Sequence, residues 1–164
     1  MRRSGPTMTS ILLAYSWGHR YPQPGLSNEF MAGELTRLKG RYDFCLAQIE
    51  IAEAMKDFEP PPDHIVGKMG EYLNTYEVTS LMLAWLKLRN IDLENTDIAV
   101  VCHATHWRGC QLVLRKFGVT ACRLSMNVPY DPDSAHWYTR TPWQAFCGKI
   151  VHGVAYLLRG QLGI

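Results

Sequence analysis

A chain of 164 residues with 47% hydrophobic and 20% charged side chains has the size and balance of one folded domain, which excludes a disordered or fibrous protein. A formal net charge of +2, with no Lys/Arg run interleaved with aromatics, argues against a nucleic-acid groove. No apolar run approaches the roughly twenty residues that span a bilayer, and five cysteines without CxxC spacing read as packed thiols in a reducing, cytoplasmic setting.

In chain order, residues 1–9 read as a flexible polar tail and 10–164 as a single domain. Ser10 to Tyr15 is a short buried strand, and Ser16 to Ser27, with its prolines and glycines, is a loop. Asn28 has the form of a helix cap, with Met31, Leu35 and Leu38 on one face and Gly40 at the stop. Tyr42 to Ala47 is a second strand, and Glu50 to Phe58 a short surface helix on which Glu50 and Glu53 are expected to be solvated. Three prolines, 60–62, then force an extended link. His64 to Met69 is a weaker third strand.

Asn74 and Glu77 have capping-box spacing ahead of the apolar face Val78, Leu81, Met82, Trp85 and Leu86. Ile98 to Cys102 is an unbroken apolar, largely β-branched run, the pattern of a strand buried on both faces. It ends at His103. Thr105 is placed to cap the next helix, whose first turn would hold His106, Trp107 and Arg108 and whose inner face is Cys110, Val113, Leu114 and Phe117. Thr120 to Met126 reads as a fifth strand. A long loop, Asn127 to Thr141, follows; Trp137 and Tyr138 within it can stack on a planar ligand or close as a lid. Pro142 opens a last helix with an apolar stripe from Trp143 to Leu158.

Strands alternating with helices imply an α/β fold, a mainly parallel five-stranded sheet covered on both faces. Such sheets bind ligands at the carboxyl edge of their strands. That edge collects Ser16 to Arg20, Gln48 and Glu50, Glu71 with Asn74 and Thr75, His103 to Arg108, and Asn127 to Asp131. Arg108 in a first helical turn opposes the helix dipole, so an anionic partner is expected there; the alternative is a structural pair with Glu71 or Asp131. His106 is the candidate acid/base. His103 and His106 have no third ligand at metal spacing, so no metal is expected. Absence of GxSxG, GxxxxGK[ST] and GxGxxG patterns sets aside serine hydrolases, P-loop enzymes and ordinary dinucleotide dehydrogenases.

The order of motifs resembles the YdcF/SanA/ElyC-like family: Asn74-Thr75-x-Glu77 opening a helix, a buried strand, then a His106-led helix closing at Arg115 to Gly118. The resemblance runs best from Ile65 to Gly160. It implies a Rossmann-like domain with an enzymatic or ligand-binding role, with S-adenosylmethionine as one ligand proposed for the family. By position, Asn74, Thr75, Glu77 and His106 match its polar motifs, while Arg108 stands one residue before the family's Arg, a place taken by Gly109.

The sequence is therefore read as an enzyme for a small anionic or nucleotide-like ligand, S-adenosylmethionine or a phosphorylated metabolite among the options. His106 and Glu77 are the catalytic candidates. Arg108, Thr105, His103, Asn74, Thr75, Trp17 and Asn127 are the ligand-binding ones. The alternative is a module that keeps the pocket without turnover. Neither nucleic acid nor membrane is expected as a partner, and a homodimer is left open.

Overall fold

The computed structural model describes residues 8–57 and 60–158. The expected tail falls mostly outside them, as does Phe58; Thr9, its last residue, already belongs to the sheet. Five strands, β1 (Thr9–Ala14), β2 (Phe44–Gln48), β3 (His64–Val66), β4 (Thr96–Val101) and β5 (Cys122–Arg123), form one parallel sheet in the order β3-β2-β1-β4-β5. Helices α1 (Leu26–Lys39), α2 (Ile49–Ala54), α3 (Thr75–Leu88), α4 (Trp107–Lys116) and α5 (Pro142–Leu158) accompany it. This is an α/β fold of Rossmann-like three-layer form, and its strand order reverses between β1 and β4.

Alternation along β1 and β4 explains why both runs are wholly apolar. Ile11, Leu13, Ile98 and Val100 face α3 and α4 with Met82, Leu86 and Leu114. Leu12, Ala14, Ala99 and Val101 face the other way, with Met31, Leu35 and Ile51. Neighbours on a strand point to opposite faces, so a strand buried on both sides has no polar positions to spare. Tyr15, fully buried, pins α3 to β1: its hydroxyl lies 3.0 Å from Thr79 Oγ1, which itself donates to the Thr75 carbonyl at 2.7 Å.

Several local expectations are corrected. Asn28 is not a cap: α1 begins two residues earlier, behind Gly25 at φ +86°. The Asn28 amide instead donates to the Gly18 and Pro24 carbonyls and its oxygen accepts from Trp17 N–H at 2.9 Å, so it braces the loop after β1. Thr105 does not cap α4 either; His106 holds the cap position, and the Thr105 hydroxyl bonds Tyr130 Oη at 2.7 Å. The fifth strand shrinks to two residues because it is an edge strand paired only with β4. Cys122 is exposed there, whereas Cys45, Cys102 and Cys110 are buried; all five thiols are free.

The stripe on α5 also departs from expectation. Ala145 is buried, but Trp143, Phe146, Ile150, Val151 and Val154 are each more than half exposed. The helix is reached through the long loop and packs chiefly on its short 3-10 turn, Trp137–Thr139. Gly148 is needed there, since a Cβ would run into Tyr138. Among the described residues no helix is long and apolar enough to cross a membrane.

Candidate functional site

Loops leaving β1, β2 and β4 meet the first turn of α3, the long loop and α5 around one cavity of about 390 Å³ at the carboxyl edge of the sheet. It lies over the β1–β4 switch point, where diverging connections leave a crevice that no helix fills. The volume suits a small organic ligand.

Trp17 and His103 form the base of the site. Their rings stack with centroids 4.9 Å apart and planes 9° from parallel. His103 is 2% exposed, and its Nδ1 accepts from Thr105 N–H at 3.2 Å. Burial, reinforced by the positive charges of Arg123 and Lys149, holds its pKa down to about 4. The imidazole is therefore neutral at pH 7 and shapes the turn into α4, while the cavity wall itself is made by Trp17.

The α3 side is built by the capping box. Asn74 Oδ1 accepts from the Tyr76 and Glu77 N–H groups at 2.9 and 3.1 Å, and Glu77 Oε2 accepts from Asn74 N–H at 2.8 Å. This fixes Thr75 at the helix start, where its hydroxyl lies 2.9 Å from His106 Nε2. The His106 ring sits edge-on to Tyr15 and tilted over Trp17. Its orientation is set by three neighbours, as a catalytic or binding imidazole requires.

The start of α4 has no side-chain cap. Among the described residues the Arg108 and Gly109 N–H groups find no acceptor, and both residues line the cavity. Arg108 is exposed and forms no ion pair among the described residues, so neither structural partner expected for it is engaged. Lys149 of α5 adds a second cation to the lining. Two N–H groups without acceptors and two cations therefore give the cavity lining a positive character.

Opposite in sign is Glu50. It lies second in α2, 7% exposed, and lines the same cavity. Burial raises its pKa; its own N–H, the Ser16 hydroxyl and the charge of His19 work against that rise. Gln48 beside it accepts from Ser16 N–H at 3.1 Å and so ties the ends of β1 and β2 together.

The long loop closes the remaining side. His136 Nε2 lies 3.0 Å from His19 Nδ1, and Tyr138 Oη 3.3 Å from His136 Nδ1, all three residues lining the cavity. Behind them Asp131, 1% exposed, accepts from Arg20 Nε at 2.8 and 3.0 Å and from Leu26 N–H at 3.0 Å. This carboxylate joins the loop after β1, the long loop and the start of α1.

Of the residues singled out from sequence, Trp17, Asn74, Thr75, Thr105, His106 and Arg108 come together on the cavity. Glu77 does not: its carboxylate is engaged in the cap, away from the lining. His103 is covered by Trp17. Asn127 is exposed and outside the lining, because β5 ends early and the chain has turned away. The sequence reading passed over Glu50, expected to be solvated, and the His19–His136 pair. The only available sign for Glu50 was its place two residues beyond β2 on the ligand edge. No group of three His, Cys, Asp or Glu side chains suited to a metal occurs among the described residues.

Fold and cavity thus define a Rossmann-like α/β domain with a lined crevice at its switch point. No family model, curated protein or solved structure matches the chain.

Proposed function

We propose that this protein is an enzyme that binds a small anionic ligand, of phosphate or nucleotide type, at the start of α4. The observation that carries the reading is the uncapped first turn of α4 opening into the cavity with Arg108 beside it. An Arg at that position is unfavourable for the helix alone, and an anion converts the repulsion into binding. Lys149 supports the same end, and His106, held by Thr75, serves as acid/base or hydrogen-bond donor to the ligand. The family resemblance supports a nucleotide-like ligand, with S-adenosylmethionine among the candidates. Five free thiols suit a reducing, cytoplasmic setting.

A second reading, a binding module without turnover, is favoured by the engagement of His106 Nε2 with Thr75. Calorimetric titration with inorganic phosphate, pyrophosphate, nucleoside monophosphates and S-adenosylmethionine tests both. Arg108→Ala is expected to weaken anion binding by about 1.5–3 kcal/mol, the scale of a hydrogen bond to a charged group. The melting temperature should not fall, because the side chain is exposed and opposes the helix dipole. Absence of binding by every anion, or unchanged affinity in the variant, would defeat the reading. Product formation from a bound ester separates enzyme from module.

A further inference from the structure

We infer that the outward face of α5 docks a second copy of this chain, the two α5 helices lying antiparallel across a two-fold axis. The inference stands apart from the anion-binding reading and does not depend on it.

α5 presents two faces with different surroundings. Ala145, Gly148 and Lys149 line the cavity, with Gly148 against Tyr138. Trp143, Phe146, Ile150, Val151 and Val154 recur at the three- and four-residue spacing of the opposite face, and each is more than half exposed. Cys147, half-buried, belongs to the same stripe. One apolar side chain on a surface needs no explanation, but a continuous stripe of this length marks an interaction site.

Area decides what kind of contact the stripe can form. At their observed exposures the five side chains offer roughly 550 Å² of mostly apolar surface per copy, so two copies cover about 1,100 Å², just above the roughly 1,000 Å² of a specific protein–protein contact. A helix that lies on a membrane surface carries Lys and Arg beside its apolar side. α5 has one such residue, Lys149, and it belongs to the cavity face.

Size and charge then point to a second copy. The bulk of the stripe falls along the helix. Trp143 and Phe146, with ring centroids 5.8 Å apart and planes 25° from parallel, stand at its start, Ile150 and Val151 in the middle, and Val154 beyond them. Two such stripes run antiparallel set Trp143 of one copy over Val154 of the other, and the reverse at the far end. Large side chains then meet small ones along the whole seam, and the helix axes keep an even spacing. Run parallel, the aromatics would meet each other and hold the opposite ends apart. No Asp, Glu, Lys or Arg belongs to the stripe, so a copy meets no like charge there. Opposed helix dipoles favour the same antiparallel direction.

The test is the mass of the full chain by analytical ultracentrifugation from low to high micromolar concentration. It should rise toward twice that of one chain. Ile150→Glu should return it to that of one chain at every concentration, with the circular dichroism spectrum unchanged. Should this variant not fold, Val154→Glu, at the other end of the stripe, carries the comparison. A short bis-maleimide should join two copies through Cys147, the product being lost in Cys147→Ser and kept when the exposed Cys122 is replaced in Cys122→Ser. A wild-type chain that stays single throughout overturns the proposal, whether its stripe then binds phosphatidylcholine vesicles or a different protein. Pairing that persists in both glutamate variants, or a cross-link that forms only through Cys122, places the contact elsewhere and overturns it as well.

Discussion

Two helix starts flank the switch point, and they are finished in opposite ways. At α1 the chain supplies its own anion: Asp131, over a hundred residues away in sequence, accepts from Leu26 N–H and is neutralised by Arg20. At α4 the chain supplies a cation instead, Arg108, and no cap. The same dipole meets a carboxylate of the chain in the first case and no side-chain cap in the second. A filled helix start belongs to stability, and an open one facing a cavity is available for binding.

The largest expected effect lies beneath the open end. His103 shapes the turn into α4 and has its pKa lowered from 6.5 to about 4. The unfolded chain takes up that proton first as the pH falls. His103 therefore contributes its full stability above about pH 6.5 and loses it progressively toward pH 4. By 1.4 kcal/mol per unit this reaches about 3 kcal/mol. Denaturant unfolding at pH 7, 5.5 and 4 should show the loss in the wild type, and His103→Gln should flatten the slope. Parallel slopes in the two proteins would remove His103 from this role.

Next in size is the filled end. Asp131→Ala should lower stability by about 1–2 kcal/mol through loss of the helix-start acceptor alone. Phosphate affinity at α4 should stay within a factor of two, since the variant leaves Arg108 untouched. A matching loss of affinity would show that the two ends act as one unit. The smallest effect comes from making α4 resemble α1. Arg108→Asp places a carboxylate in the first turn and should raise stability by about 0.3–1 kcal/mol, while phosphate binding disappears. Lower stability with binding retained would contradict the contrast drawn between the two helix starts.

What was legible in the sequence was local. The run from Ile98 to Cys102 announced a central strand because both its faces are buried, and the Asn74–Glu77 box was readable because both partners lie within one turn. Asn28 and Thr105 misled because a cap depends on the angle at which the chain enters the helix, and no residue type encodes that angle. The site's other half was not legible for a different reason. His19 meets His136 across 117 residues and Arg20 meets Asp131 across 111, contacts that only the topology creates. Glu50 looked like a surface residue because a six-residue helix shows too few turns to reveal which side faces inward. The α5 stripe carried a true helical period and still faced outward. Periodicity reports that a face is apolar and is silent on what it meets.

The distribution of thiols gives the two layers of the sheet separate clocks. Cys45 sits in the layer packed by α1, and Cys102 and Cys110 in the layer packed by α3 and α4. Burial pushes the Cys45 thiol up to about 12 and Cys110 well above its usual value, so neither ionises appreciably until its layer opens. Cys122 is exposed in the native chain and marks time zero for any thiol reagent. The order in which Cys45 and the Cys102–Cys110 pair are trapped then reads which layer parts first, and how often, in the unmodified protein under native conditions.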